Sequence, residues 1–478
     1  MRSKIWTWFA GMSLFPLLAI SVRLAAQEGH QPKADPPPHY TVTDLGPIGS
    51  PFSQATYVND HGLVTGVEFG TDGNLHAVLW YKEHMKDISN PGLGGPNSGA
   101  GGVNEFGQVI GGAETSEADP NTENFCGYGT GLQCLAFLWR NGVMTPLPTL
   151  GGTNGGYGQI NNRGEVSGYA ENSTRDLEGC AVALNGTGPQ VLDFEPVIWG
   201  PRPHEIRELP RLPGDTVGVA FWINDNGQAV GMSGLCRNTV IPGPSAAPHA
   251  VLWDSDGSVH DLGNLGGTSN PAVLGAGNAA FVINNLSQVA GVSALPESKS
   301  TGCPGVPVNP ACFPFHPFLW TGETGMHDLG VLPGDLVGAG LGMNNLGEVV
   351  GPSISAPGAA TGNPTAFLWR NGVMTDLNTL VPADSPLYLL IAYGINDAGQ
   401  IAGFGVNTTT GDVHGFLATR CNANHADAEW CKDDAERAAA EGDVTTERPR
   451  PALSENARTQ LQKLMSFRLP GAPPTEPQ

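Results

Sequence analysis

Two acidic residues stand in copies of one short sequence, Leu-Pro-Gly-Asp, which ends at Asp215 and again at Asp335. Related segments read Leu-Gly-Gly followed by Thr or Asn, and one of them reaches Asn154. Carboxylate and amide oxygens that converge on one mouth can bind a cation or hydrogen-bond a sugar. These three residues, with Tyr157 and Trp222, form our candidate ligand-binding set. Pro-Gly-Asp is also good turn chemistry, and that structural role is the favoured one for the two carboxylates.

Other motifs that carry chemistry are missing from the sequence. It contains no Gly-x-Ser-x-Gly elbow, no His-Glu-x-x-His and no phosphate loop, and no pair of carboxylates stands out from turn residues. No catalytic residue, metal site or cofactor is therefore predicted.

The strongest pattern is a repeat. An Asn is followed three residues later, in most copies, by Gly, then by a short apolar run and a second Gly seven residues after the Asn. The copies are 45 to 63 residues apart, so the unit is constant and the connections vary. Such a period indicates a repeat architecture. The seven copies begin at Asn59, Asn104, Asn161, Asn224, Asn284, Asn344 and Asn396, and their closing glycines are Gly66, Gly111, Gly168, Gly231, Gly291, Gly351 and Gly403.

Each repeat reads as four antiparallel strands. Asn396 and Gly399 occupy the first and fourth positions of a type I turn between two apolar segments, which predicts a hairpin. A second hairpin is predicted around Asn371-Gly372, because both central residues of a two-residue turn need positive φ. Four strands in about 50 residues describe a propeller blade. The alternatives are a β-solenoid and an immunoglobulin-like array, whose periods fit less well.

The two ends of the repeat region complete each other. Six third strands end in Trp, whereas the seventh, Phe416-Leu417-Ala418, lacks Trp and has no fourth strand after it. An orphan fourth strand, Tyr40 to Gly46, stands at the other end of the region. We therefore predict an all-β, seven-bladed propeller whose N-terminal strand forms the outer edge of the last blade. The six Trp residues, predicted to be core between blades, are Trp80, Trp139, Trp199, Trp253, Trp320 and Trp369.

Four histidines occupy one equivalent third-strand position: His76, His249, His316 and His414. Strands lie about 4.8 Å apart, so these residues are roughly 10 Å farther from the axis than the first strands. Side chains so far apart cannot share one ion at about 2.1 Å. A packing or hydrogen-bonding role is predicted for them.

At these residues the chain resembles the extracellular HAF-repeat family of exported bacterial proteins, named for His-Ala-Phe ahead of Leu-Trp. Copies here read His76-Ala77-Val78-Leu79-Trp80 and Thr365-Ala366-Phe367-Leu368-Trp369, and no copy carries all three letters. The resemblance extends from about Tyr40 to Arg420. It implies export and a repeat fold, and it implies no catalytic residue.

Six of the eight cysteines lie in the long connections between second and third strands, which are predicted to emerge on one face of the ring. Cysteines in an exported protein are expected to form disulfides, and zinc is a poor alternative because their spacing does not fit a structural site. Stapled loops on a rigid ring favour binding there, although the bridges could also serve only against proteolysis. The close pairs are Cys126 with Cys134, Cys303 with Cys312 and Cys421 with Cys431, which leaves Cys180 and Cys236 as candidates for a fourth bridge.

The composition and the termini indicate the location. Arg2 and Lys4 precede an apolar run and then Ala25-Ala26, which predicts a signal peptide over residues 1–26; the alternative is an uncleaved anchor helix. A Pro-rich linker is expected over 27–39, the propeller over 40–420, and a partly helical or disordered extension over 421–478. The excess of acidic residues, 45 against 23 Lys and Arg, argues against nucleic acid and anionic membranes as partners.

These observations predict a secreted, extracellular or periplasmic, non-catalytic propeller. It is expected to be a monomer, without a membrane span in the mature chain, that binds a polymer such as a glycan, or a protein partner, through its disulfide-stapled loops. The alternative is a polysaccharide hydrolase or lyase with Asp215 and Asp335 at the channel mouth, and a structural envelope role is a further possibility.

Overall fold

The seven repeats fold into seven antiparallel sheets in the computed structural model. It describes residues 38–46, 52–82, 84–176, 190–202, 204–235, 249–267, 278–296, 315–355 and 364–421, with residues 431 and 455. We number the sheets as blades 1 to 7 in the order of the Asn repeats. Within the described residues, no helix has the length and apolar character needed to cross a membrane.

Strand β1 (Tyr40–Asp44) precedes blade 1 in the chain. Blade 1 contains β2 (Ser53–Val58), β3 (Leu63–Phe69), β4 (Leu75–Tyr81) and β5 (His84–Asp87). Blade 2 contains β6 (Gly94–Val103), β7 (Val109–Ala118), β8 (Leu132–Arg140) and β9 (Val143–Pro146). Blade 3 contains β10 (Gly151–Ile160), β11 (Val166–Arg175), β12 (Leu192–Trp199) and β13 (Ile206–Glu208). Blade 4 contains β14 (Val217–Ile223), β15 (Ala229–Gly234), β16 (His249–Trp253) and β17 (Val259–Asp261).

Blade 5 contains β18 (Ala279–Ile283), β19 (Val289–Ala294), β20 (Phe315–Thr321) and β21 (Gly325–Asp328). In blade 6 the inner strand is split into β22 (Val337–Gly338) and β23 (Gly342–Met343), followed by β24 (Val349–Ile354), β25 (Pro364–Arg370) and β26 (Val373–Asp376). A 3₁₀ turn, Leu377–Thr379, leads to blade 7, with β27 (Leu387–Ile395), β28 (Ile401–Asn407) and β29 (Val413–Arg420).

The N-terminal strand closes the ring as predicted. Strand β1 pairs antiparallel with β29, with Val42 opposite Ala418 and Asp44 opposite Phe416, and the sheet order of blade 7 is β1-β29-β28-β27. The last blade therefore takes its outer strand from the beginning of the described chain and its other three strands from the end. The prediction of a seven-bladed propeller closed in this way is confirmed.

Aromatic residues at the ends of the third strands fill the space between blades. Trp199 and Trp253 are fully buried, and their indole N–H groups donate to backbone oxygens of Pro148 (2.8 Å) and Pro210 (2.7 Å). Trp80 and Trp139 are also buried. The predicted core role is therefore confirmed in four blades, whereas Trp320 and Trp369 in blades 5 and 6 are half-buried.

The closing glycine of each repeat is required by a backbone contact. In all seven blades, a Cβ added at this glycine would lie 1.8 to 2.4 Å from a carbonyl oxygen of the inner strand. At Gly231 the contact is with Val219, at 1.8 Å. The inner strand comes this close beside a β-bulge, for example between Ala220 and Trp222 in blade 4. No side chain fits at such a distance.

The Asn of each repeat forms a hydrogen-bonded ring around the axis. Its Oδ1 accepts backbone N–H groups within its own turn, as from Asn226 (3.0 Å) and Gln228 (2.9 Å) to Asn224. Its Nδ2 donates to the backbone oxygen of the corresponding Asn in the next blade, at 2.9 to 3.1 Å in all seven cases. The last bond runs from Asn396 to Asn59, so the ring of amides is closed.

The histidines of the third strands pair with the Asp that ends the neighbouring fourth strand. Nδ1 of His249 lies 3.0 Å from Asp261, and that of His316 lies 2.8 Å from Asp328. In blade 7 the partner is Asp44 of strand β1, at 2.9 Å from His414. The predicted hydrogen-bonding role is confirmed, and it explains why His and Asp-Leu-Gly recur together.

Two predicted disulfides are present in the described residues, Cys126–Cys134 and Cys421–Cys431. The predicted bridges of Cys180, Cys236, Cys303 and Cys312 lie outside the described residues. So do the predicted signal peptide, nearly all of the linker and most of the C-terminal extension.

The glycine contact predicts a large effect for one methyl group. We expect Gly231→Ala to lower the free energy of unfolding by about 2–3 kcal/mol, because the new Cβ must push two paired strands apart. Urea denaturation measures the change. Gly322→Ala is the matched control, since its Cβ would meet only Trp320 at 3.9 Å. Equal stability of the two variants would contradict this explanation of the motif.

The Asn ring predicts a second effect. Asn224→Ala removes one buried amide that makes four hydrogen bonds, and we expect a loss of about 3 kcal/mol. Asn226→Ala in the same turn is the control, because Asn226 is exposed and donates a single bond to Asn285. Thermal melting compares the two variants. Equal melting temperatures would show that the ring adds little to stability.

Candidate binding funnel on the axis

The antiparallel strands divide the connections between two faces of the ring. The turns from strand one to two and from strand three to four emerge on one face, which we call the turn face. The connections from strand two to three and from one blade to the next emerge on the other, which we call the loop face. The candidate residues of the sequence analysis were expected on the loop face.

A cavity opens on the axis at the turn face. We call it the funnel. Its wall is formed by six of the ring asparagines, by the residue that precedes each of these six, and by the residues that follow all seven ring asparagines. The residues that follow the ring asparagines are Asp60, Glu105, Asn162, Asp225, Asn285, Asn345 and Asp397.

These seven residues form a second closed ring of hydrogen bonds. The backbone N–H of each donates to a side-chain oxygen of its counterpart in the next blade, at 2.7 to 3.1 Å. The bond from Asp397 to Asp60 closes the circle at 2.9 Å. One oxygen of every side chain is therefore held in place, and the seven side chains converge around the axis.

Four of the seven side chains are carboxylates, and they differ in their partners. The second oxygen of Asp225 accepts from the amides of Asn162 (3.0 Å) and Asn285 (3.1 Å). Oε2 of Glu105 has no hydrogen-bond partner, and the imidazole of His61 lies 3.8 Å away. Burial raises the pKa of Glu105, and the negative charges of Asp60 and Asp225 add to this. Asp397, Asp60 and Glu105 are adjacent around the ring, so three of the four carboxylates lie in one sector.

The floor of the funnel is formed by two aromatic side chains and one amide side chain. Tyr57 and Trp222 come from blades 1 and 4, on opposite sides of the axis, and their rings meet edge to face at a centroid distance of 5.5 Å. Gln159 completes the floor, beside Gly102 of the neighbouring blade, where any Cβ would overlap its side chain. Burial, and then the field of the four funnel carboxylates, raises the pKa of Tyr57. The floor residues therefore lie within the field of the acidic ring.

The structure places Asp215 and Asp335 in turns of the loop face. In each Leu-Pro-Gly-Asp copy the Asp N–H donates to the Leu oxygen, at 3.1 Å for Asp215 and 2.9 Å for Asp335. Each carboxylate accepts from a serine of the adjacent second strand, Ser233 (2.6 Å) or Ser353 (2.7 Å). Both residues thus brace their turns, which is the role that the sequence analysis favoured, and their ligand-binding role stays a prediction.

The other three candidates lie in different places. Asn154 is fully buried and bonds to Asp119 and Glu171. Tyr157 packs its ring against the backbone of Gly101 in the neighbouring blade. Trp222 lines the funnel, and it is the one candidate of the five that does so.

A buried carboxyl cluster fixes the stapled loop of blade 2 to blade 3. Glu171 accepts from the backbone N–H of Asn154 (2.8 Å), and Gln190 donates to both Glu171 (2.8 Å) and Glu123 (3.3 Å). Burial raises the pKa of Glu171 to about 8, and the charge of Glu123 contributes. Among the described residues, no group of three or more His, Cys, Asp or Glu side chains is arranged to hold a metal ion.

Sequence reasoning missed the acidic ring. Its members follow the repeated Asn directly, but they alternate between Asp, Glu and Asn and lie in short turns, so each looks like an ordinary turn residue. The signal that could have found them is their constant position in a closed ring, which brings all seven to one axis.

No protein-family model and no curated protein sequence matches the chain. Solved structures do. The β-propeller domain of the Trilobed protease from Pyrococcus furiosus is 9% identical, covers 84% of this chain and 98% of its own, and has a TM-score of 0.42. The Aleuria aurantia lectin AAL, solved with Fucalpha1-6GlcNAc, is 8% identical over 76% of this chain and 91% of its own, with a TM-score of 0.30. Trypanosoma rangeli sialidase is 8% identical, covers 84% of this chain and 57% of its own, and has a TM-score of 0.34. None of these similarities identifies a ligand or an activity.

The carboxyl cluster predicts how stability changes with pH. Glu171 keeps a proton in the folded chain up to about pH 8 but loses it near pH 4.5 when unfolded, so the folded state binds more protons between these values. Stability should therefore fall as the pH rises through this window. For Glu171→Gln we expect the free energy of unfolding to decrease less steeply with pH. Urea denaturation at pH 5 to 8 measures this.

Glu165→Gln is the control for that measurement, because Glu165 is paired with Arg163 on the other face. Its pH profile should follow that of the unchanged chain. A wild-type profile that rises through the same window would show that Glu171 is ionised in the folded state.

Proposed function

We propose that this chain is a secreted, non-catalytic propeller of the HAF-repeat kind that binds a polymer or protein partner through the funnel. The observation that carries the proposal is the second hydrogen-bonded ring: seven polar side chains are held in position around a cavity on the axis. Sites with pre-positioned polar groups lose little conformational freedom on binding, which favours recognition. The disulfides of the described residues agree with export.

The proposal moves the binding surface from the loop face to the turn face. On the loop face, the carboxylates of Asp215 and Asp335 each accept a hydrogen bond from a serine, and Asn154 is buried in the carboxyl cluster. In the funnel, Glu105 keeps an oxygen without a hydrogen bond, and Trp222 contributes aromatic surface to the floor. Free polar groups beside an aromatic surface are what a ligand can use.

A polysaccharide hydrolase remains the second candidate, and one observation favours it. Glu105 is a carboxyl group with a raised pKa next to Asp60, the combination that a glycosidase uses for its general acid and its second carboxylate. The acidic pair at the mouth would then be Glu105 and Asp60 on the turn face, instead of Asp215 and Asp335.

Screening the secreted full chain against a glycan array and against immobilised exported bacterial proteins tests the proposal. For a ligand found in this way, we expect Trp222→Ala to weaken binding roughly tenfold or more, because the floor of the funnel loses its largest contact surface. Asp215→Ala on the loop face is the control and should bind normally.

The opposite result would place the site on the loop face. In that case Asp215→Ala or reduction of Cys126–Cys134 abolishes binding, and Trp222→Ala does not. Release of reducing sugar from a bound glycan, abolished by Glu105→Gln, would support the hydrolase.

A further inference from the structure

The exposed hydrophobic residues of the ring are all on one face. Among the described residues, six large hydrophobic side chains are more than half exposed. Three stand at the tips of the turns around the funnel, two positions after a ring asparagine, and three stand in the turns between third and fourth strands. They are Phe106 (74%), Leu286 (67%), Leu346 (66%), Tyr81 (52%), Val143 (61%) and Val373 (59%). Apolar side chains exposed on one face are available for contact with a protein.

The centre of the same face is acidic. The described residues that line the funnel include four carboxylates and no Lys, Arg or His. The basic side chains closest to it are outside the lining: His61 is 71% exposed, and Arg163 is paired with Glu165. Carboxylates brought together without a cation repel one another, which is the reason that Asp60 and Asp225 raise the pKa of Glu105. A positively charged group in the funnel would relieve this repulsion.

The floor suits a cation as well. Trp222 is the aromatic residue type that attracts cations most strongly, and Tyr57 stands beside it in the same negative field. The funnel thus combines an aromatic surface with a negative rim.

We infer that the funnel binds the basic side chain of an arginine or lysine in a protein segment whose neighbouring apolar residues contact Phe106, Leu286 and Leu346. The inference rests on the proposed function and specifies its ligand. The cationic group lies among Asp60, Glu105 and Asp397, three carboxylates that are adjacent around the ring. A neutral glycan leaves the four negative charges uncompensated in the bound state, which is costly when water is displaced.

The chain itself shows which substitution tests this without disturbing the fold. Three blades carry Asn where the others carry Asp or Glu, and the Oδ1 atoms of Asn162, Asn285 and Asn345 accept the same ring bond. The double variant Asp60→Asn/Glu105→Gln therefore keeps both ring bonds and removes two charges. The control Glu117→Gln/Asp384→Asn removes two charges from exposed positions on the loop face.

The probe is a fluorescent peptide, Gly-Ser-Leu-Phe-Arg-Phe-Leu-Ser-Gly, and its matched control carries citrulline, a neutral analogue, in place of Arg. Fluorescence anisotropy with the full chain should show saturable binding of the Arg peptide that weakens as salt is added. We expect roughly tenfold or more weaker binding for the citrulline peptide and for Asp60→Asn/Glu105→Gln. The loop-face control should bind within about twofold of the unchanged chain.

Equal affinity for the Arg and citrulline peptides, or no binding of the Arg peptide at millimolar concentration, would overturn the inference. If a neutral glycan binds instead and Trp222→Ala abolishes that binding, the funnel is a binding site and only its ligand was assigned wrongly. If a ligand binds and Trp222→Ala leaves its affinity unchanged, the proposed function fails together with the inference.

Discussion

The closed ring of amide hydrogen bonds at the axis is the constraint on which the rest of the structure depends. Each ring asparagine holds its own turn through Oδ1 and the next blade through Nδ2, and the bond from Asn396 to Asn59 leaves no blade without a neighbour. Strand β1 joins the same two ends of the chain at the rim. Closure at both radii joins the two ends of the chain, and it covers the edge that strand β29 would otherwise present as the last strand of blade 7.

Because the asparagine ring fixes the backbone, the residue after each asparagine can vary without loss of the fold. Its N–H always donates to the next blade, and any side chain with a suitably placed oxygen accepts the bond, whether from Asp60, Glu105 or Asn162. The number of carboxylates in the funnel is therefore independent of ring stability. Selection on a ligand could change the charge of the funnel through this position alone.

The fold could be predicted from the sequence because the backbone geometry of each blade requires particular residue types at the repeated positions. Only Gly fits at Gly231, and Asn-x-x-Gly marks a turn whose last residue has positive φ, a role that Ser287 takes in blade 5 with φ 59°. Of the candidate site, only Trp222 was found. The acidic ring arises from residues 45 to 63 positions apart that meet only after closure, and nothing in a single turn distinguishes Asp60 from a residue that merely favours turns.

The two faces of the ring are stabilised by different means, and this decides which of them suits recognition. The loop face depends on added contacts: a disulfide at Cys126, serine bonds to Asp215 and Asp335, and a carboxyl cluster around Glu171. Those contacts hold the loops and turns of this face in place. The turn face needs none of them, because its short turns are ordered by the two rings. Its charged and apolar side chains are thus left exposed on a rigid frame, so a partner would meet them with little entropy to lose.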